Sequence, residues 1–427
     1  MMTGVQDFRE QAFKISPRTM LWGLATLLAF LEFFQINYHL SSALTFVMMP
    51  MAIAWMLIYP KTLLIRKEEF EPVLFLFFWL GYSLCSYVWA QDRFLALDYS
   101  LLIFRFLFLF MFFSAVFRDR RLLNKLPVFL AFIALLYVGT AIWEILTLNH
   151  LPPSRLYGDR YFIPTGPFYG ENHLAAAMTL LFPFLLLLPE VYPRLWVKIG
   201  TLIAILATIF VIIIQGARIS MLAIGAVLAW FLVFHTKART WMALLLLMAL
   251  IFGALHHYVP DLLGFGLKML GREVSSFGVE SKTVRMSSIG IRKQLFVEGF
   301  DLAAESTFMG VGGGNFEHYM NTDREFRTAG ITNPHNWVLE IFGNFGILIL
   351  AGFLYLYIKW LYILYVKYRH SSGREKNICL MYLVSLLLFI ASSSLPSTIK
   401  WMHLIWIYFA GINAYCFSPK PVYEDNK

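Results

Sequence analysis

Apolar and polar residues fall into long blocks along this chain. Apolar runs occupy roughly 20–36, 41–59, 72–90, 98–117, 127–147, 173–189, 196–214, 219–235, 241–257, 336–358, 378–396 and 401–417. A helix that crosses a bilayer takes roughly 20 apolar residues, so the pattern predicts an all-α integral membrane protein with about twelve transmembrane helices. Residues 1–19 are polar and hold Arg9, Lys14 and Arg18. No A-x-A-like cleavage site follows the first run, which predicts an uncleaved first span rather than a signal peptide.

Composition agrees with this pattern. Of 427 residues, 59% are hydrophobic and 14% charged, and mean hydropathy is +0.65. Soluble domains carry about a quarter charged residues, and disordered chains need low hydrophobicity with high charge; both classes are excluded. The net charge of +9 fits the positive-inside rule. The basic residues form no aromatic-interleaved patch, so nucleic acid is not an expected partner. Cys85, Cys379 and Cys416 lie far apart in apolar segments, which reads as buried free thiols rather than a disulfide or zinc framework.

With the N-terminus inside, the inner segments hold Arg9, Lys14 and Arg18; Lys61, Arg66 and Lys67; Arg118, Arg120, Arg121 and Lys125; Arg194 and Lys198; Lys237 and Arg239; Lys367, Arg369, Arg374 and Lys376; and Lys420 and Lys427. The short outer segments hold only Arg93, Arg155, Arg160, Arg218 and Lys400. This asymmetry predicts that both termini are cytoplasmic. The expected divisions are an N-terminal membrane domain over 1–257, an extracytoplasmic loop over 258–335, C-terminal membrane helices over 336–417 and a tail over 418–427. Within the loop, Met286 to Met309 reads as a helix at the membrane surface, with Ile289, Phe296, Phe300 and Ala303 near helical spacing. The run Gly310-Val-Gly-Gly-Gly-Asn315 breaks it. No internal repeat is visible, and nothing suggests the matched broken helices of an inverted-repeat transporter.

Polar residues inside spans are costly and mark functional positions by default. Glu32 and Glu144 lie near outer ends and read as structural or interfacial. Arg105 lies inside its span and needs a partner or a wet cavity. Arg218 follows Gln215-Gly-Ala at the outer end of a helix start; it reads either as an anion-binding arginine or as an interfacial one reaching the headgroups. Arg292 lies beside Lys293 on the surface helix, and Arg285 is two turns earlier on a similar face; a solvated charged face is the plain alternative. Asn333-Pro-His-Asn336 opens the tenth span. Asn336 is a natural N-cap, and His335 at that helix start is favoured in the neutral form a general base needs. Asn336 or Glu340 is placed to orient the ring or a substrate; a capping histidine is the plain alternative. Gly343 and Gly346 indicate close helix packing. No G-x-S-x-G, Walker A, H-E-x-x-H or D-x-D motif occurs, so no metal or cofactor is expected.

Four segments together resemble the O-antigen ligase family. They are Thr165-Gly-Pro-Phe-Tyr-Gly-Glu-Asn172-His-Leu-Ala175, Gln215-Gly-Ala-Arg218-Ile-Ser220, Arg292 through Gly310-Val-Gly-Gly-Gly-Asn-Phe316, and His335-Asn336-Trp-Val-Leu339-Glu340 with Gly343 and Gly346. Their order, the span number and the late outer loop agree over about residues 70–417. The chain departs from the family pattern at Gln215-Gly-Ala and at Ser306-Thr307, where Ser-Arg and Pro are usual. The resemblance implies a fold like the GT-C-type membrane glycosyltransferases. It also implies a cell-envelope polysaccharide ligase or polymerase at the bacterial inner membrane, using a polyprenyl-diphosphate-linked glycan donor and a glycan or glycolipid acceptor. On that reading Arg218 and Arg292 clamp the diphosphate and His335 takes the acceptor proton, with Arg285, Lys293, Asn336, Glu340, Asn172 and Arg105 in support. The competing expectation is a twelve-span transporter or lipid-linked-oligosaccharide flippase, which predicts related halves and a charged midplane cavity.

Overall fold

The computed structural model describes residues 65–235, 288–322, 330–396, 398–401 and 404–418, with 23–29 and isolated positions between 47 and 57 and at 264. Glu32, Arg285, both termini and most of the first, second and ninth expected spans lie outside the described residues. Among the described residues every regular element is a helix: α1 (Lys67–Ser86), α2 (Arg93–Phe117), α3 (Arg120–Thr147), α4 (Glu171–Leu186), α5 (Leu195–Gln215), α6 (Arg218–His235), α7 (Ser288–Glu305), α8 (Asn315–Thr322), α9 (Trp337–His370), α10 (Gly373–Ser392) and α11 (Leu404–Phe417). Six of the described helices are long and apolar enough to cross a membrane; α6 and α11 are shorter apolar helices. This is an α-helical, multi-pass membrane protein.

Helices α2 and α3 begin earlier than their apolar runs, at polar residues that cap them. Asp92 accepts from the Phe94 and Leu95 amides, and Asp119 from that of Arg121. Each cap satisfies donors that a helix start leaves free. The tenth expected span runs on as α9 to His370, ending in Lys367, Arg369 and His370.

Helix α4 lies at the centre, with Leu174 through Ala177 fully buried. Its small residues admit α10 closely. Ser385 Oγ donates to the Leu180 carbonyl at 2.6 Å and Ser392 Oγ to that of Ala176 at 2.9 Å. Beside it, Trp79, Phe106, Phe345 and Trp406 pack edge to face or stacked, geometries that add to area burial.

Helix α9 is broken at Gly346, whose φ of 73° and ψ of −170° leave the helical region. In an apolar interior the groups released by a break must find partners. The glycine run supplies them. The Val311 amide donates to the Gly343 carbonyl and the Gly312 amide to that of Asn344, both at 2.9 Å, and the Ile347 amide donates to the Phe308 carbonyl at 3.0 Å. The Asn344 side chain accepts from the Phe316 amide at 2.9 Å. On the other side the loop rests on α1: Tyr82 donates to the Met309 carbonyl, Trp89 to that of Gly310, and the Gly313 amide to Ser86 Oγ.

Helix α7 differs from expectation in length and in face. It ends at Glu305, and Thr307 and Phe308 have φ of 52° and 62°, a turn that brings the Phe308 carbonyl to Ile347. Its buried face carries Leu295, Leu302 and Ala303, while Phe296 and Phe300 are exposed. Gly299 sets this rotation: a Cβ there would meet Leu339 Cδ1 at 2.6 Å, so the glycine side of α7 alone packs closely on α9.

At Gly346 a Cβ would lie 2.2 Å from the Phe308 carbonyl oxygen. Gly346→Ala combines that clash with a left-handed φ, at a cost of about 2–5 kcal/mol. Thermal unfolding in detergent is expected to show a large fall in the midpoint. Gly200→Ala, in α5 with open space around it, should leave the midpoint unchanged or raise it.

Candidate active site

Four sequence-distant segments meet at one end of the bundle. The first is the start of α4 with the loop before it. Glu144, fully buried near the end of α3, accepts from the Leu151, Thr165 and Gly166 amides at 3.2, 2.7 and 2.8 Å. That single carboxylate folds the loop back over the bundle. Arg155 closes it by donating to both Glu171 oxygens at 2.9 and 3.0 Å. The structural reading of Glu144 from sequence therefore holds.

The second segment is the turn into α6. Gly216, with φ of 65°, caps α5 in the left-handed region that glycine tolerates. The chain reverses within two residues, and half-buried Arg218 opens α6. Gln215 donates to the Pro164 and Glu171 carbonyls at 3.0 and 3.3 Å, which ties this turn to the start of α4. Ser220 and Thr179 join the two helices at 2.8 Å.

The third segment is α7. Arg292 is half-buried and stands close enough to Arg218 for the two charges to oppose each other; burial and then this neighbour lower its pKa. Two guanidinium groups facing one another are unfavourable until an anion joins them. Lys293 is exposed beside it.

The fourth segment is the entry to α9. His335 has φ of 50°, an uncommon conformation for a residue with a side chain. Its Nδ1 is buried without a hydrogen-bond partner. Burial and the Arg292 charge hold its pKa below the ordinary 6.5, partly offset by the Leu395 backbone, so the ring is neutral at pH 7. Asn336 is the N-cap, accepting from the Leu339 amide at 3.0 Å and donating to Ser394 Oγ at 2.9 Å.

Glu340 and Arg105 have other settings. The fully buried Glu340 carboxylate accepts from Tyr99, Thr398 and the Ile399 amide, at 2.8 Å for the last. It braces α9 against α2 and the turn before α11. Arg105 is buried on α2, about 18 Å along the helix from Arg93, while the site lies at the Arg93 end. Asn172 is half-buried in the first turn of α4. Among the described residues no three His, Cys, Asp or Glu side chains gather as a metal-binding group.

Two neighbours carried no weight in the sequence reading. His173 is 2% exposed and stands within electrostatic reach of His335; neither ring nitrogen meets hydrogen-bond geometry, although the Gly170 backbone lies close enough to act on the ring. Gln215 keeps its Oε1 buried and unpaired. The available signal was a histidine in the first turn of an otherwise apolar span.

This grouping of two arginines and a neutral histidine can bind an anion and accept a proton. It coincides with the region where the chain matches a known family: the O-antigen ligase family model matches residues 202–356, a stretch that includes Arg218, Arg292 and His335. The resemblance read from the four segments is thereby borne out. A curated relative, the teichuronic acid biosynthesis protein TuaE of Bacillus subtilis (strain 168), is 25% identical over 350 residues, which are 79% of this chain and 70% of that protein.

Bracing and chemistry should separate on mutation. Glu340→Ala strands three buried donors and is expected to cost about 2–4 kcal/mol. His335→Ala keeps a side chain at the same left-handed φ and removes a buried nitrogen that has no hydrogen bond, so it should change stability by no more than about 1 kcal/mol. Thermal melts of both variants in one detergent check the contrast.

Proposed function

We propose that the protein is a cell-envelope polysaccharide ligase or polymerase. It transfers a glycan from a polyprenyl-diphosphate donor to an acceptor sugar hydroxyl at the outer face of the bacterial inner membrane. The observation that carries this reading is the convergence of Arg218, Arg292 and neutral His335 from three distant segments, within the stretch that matches O-antigen ligases. The likeness to a teichuronic acid biosynthesis protein supports a cell-envelope polysaccharide as product.

In the proposed reaction the acceptor oxygen bonds to the anomeric carbon while the bond from that carbon to the diphosphate oxygen breaks. The hydroxyl proton passes to His335. The electron pair leaves with the diphosphate, where Arg218 and Arg292 stabilise the growing charge. Attack opposite the leaving group inverts the anomeric centre. Lys293 adds positive charge beside Arg292, Arg285 is assigned the same role from its place in the sequence alone, and Asn172 and Asn336 support the substrate side. Glu340 positions His335 by bracing the start of α9. The reaction needs no metal or cofactor in this proposal. Twelve spans of GT-C type, both termini in the cytoplasm, the division at 257, 335 and 417 and the outward placement of the loop complete it.

Purified protein in liposomes with its host's polyprenyl-diphosphate glycan and EDTA is expected to form polymer or ligated product. His335→Ala should lower the rate by about 10²–10⁴, with donor still bound, and Arg292→Ala should weaken donor binding. Full activity of His335→Ala, or donor crossing the bilayer without new glycosidic bonds, would overturn the reading.

The acid limb of the rate follows from the sign of the His335 shift. The base is the neutral ring, whose pKa lies below 6.5. The acid limb of kcat/KM, which reports the free enzyme, should therefore have its midpoint below 6.5, as a pH–rate profile would show.

A further inference from the structure

The polar atoms that α4 and its neighbours leave unpaired lie around one place. Both nitrogens of His173, Oε1 of Gln215 and Nδ1 of His335 are buried without hydrogen bonds. Gln215 touches the Glu171 carbonyl and is three residues from Arg218. His173 interacts electrostatically with His335, His335 with Arg292, and Arg292 with Arg218. An unsatisfied buried polar atom normally costs about 1–3 kcal/mol, so several together need an account.

His173 occupies the first turn of α4, a sixteen-residue helix whose N-cap is Gly170. Glycine offers no side-chain oxygen, and no side-chain cap bond is made there. The positive end of the helix dipole is left for another acceptor. The one acidic residue in that turn, Glu171, is neutralised by Arg155 at 2.9 Å. A buried neutral donor, a helix N-terminus without a cap and two nearby arginines together favour an anion with several oxygens.

We infer that His173 and the first turn of α4 form a third element of the diphosphate site, with the His173 ring donating a hydrogen bond to a phosphate oxygen that Arg218 and Arg292 do not occupy. The inference rests on the proposed function and extends it to a residue outside the family-matched stretch. His173 is here a substrate-binding residue that holds the leaving group and takes no part in proton removal. Without ligand the ring N–H is a cost to the fold; with ligand that donor is paired.

The test uses His173→Leu, which fills the space with an apolar side chain. Purified full-length protein in nanodiscs is titrated with undecaprenyl diphosphate, and its thermal midpoint is read with and without that ligand. His173→Leu is expected to keep or raise the midpoint of the empty protein, because it removes an unpaired buried polar group. It should bind undecaprenyl diphosphate about tenfold more weakly, while His173→Gln, which keeps a donor, recovers part of the loss. A lower empty-state midpoint for both variants, or unchanged affinity in His173→Leu alongside weakened affinity in Arg292→Ala, overturns the His173 inference and leaves the proposed function standing. Unchanged affinity in Arg292→Ala as well overturns the proposed function itself.

Discussion

A helix interrupted inside an apolar interior releases backbone groups that neither lipid nor side chains of Leu and Phe can satisfy. That constraint organises this protein around Gly346. The break in α9 is sealed by the loop 308–316, whose amides reach the Gly343 and Asn344 carbonyls and whose Phe308 carbonyl takes the Ile347 amide. Only glycine fits: a Cβ on Gly310 would meet the Gly346 nitrogen at 2.5 Å, and one on Gly343 would meet Phe316 at 2.3 Å. The seal also fixes both flanks. Helix α7 before the loop carries Arg292, and the short first section of α9 is entered from His335.

The site inherits its rigidity from these attachments. Glu340 fastens the start of α9 to Tyr99 and to Ile399. Glu144 gathers the loop before α4. Gln215 and Ser220 bind the α5–α6 turn to α4. Two buried carboxylates thus hold the frame of the site by accepting from backbone and hydroxyl donors. The opposed charges of Arg218 and Arg292 beside them are eased when an anion joins the two.

Much of this was legible in the residues. Nine apolar runs from 72 to 417 correspond to observed helices, because bilayer-length apolarity is a local property. Boundaries shifted wherever a polar cap such as Asp92 or Asp119 extends the helix. Motif order singles out Arg218, Arg292 and His335, but it carries no information on how they are placed in space. The break at Gly346 was not legible: Gly343 and Gly346 signalled close packing, but a break depends on a loop 30 residues earlier. The role of Glu340 was hidden for the same reason, since its partners Tyr99 and Thr398 are 241 and 58 residues away. His173 was visible only as one letter of a motif, because an unpaired nitrogen is a property of surroundings.

The sealed break also has an order in time. The groups that pair with it lie between 308 and 316, and three side chains that steady the loop, Tyr82, Ser86 and Trp89, come earlier still in the chain. Synthesis runs from the N-terminus, so α1 and then the glycine loop are made before Gly346 leaves the ribosome. The discontinuous helix enters the membrane with its complement already in place, and its exposed amides need no later segment or partner to become tolerable in lipid.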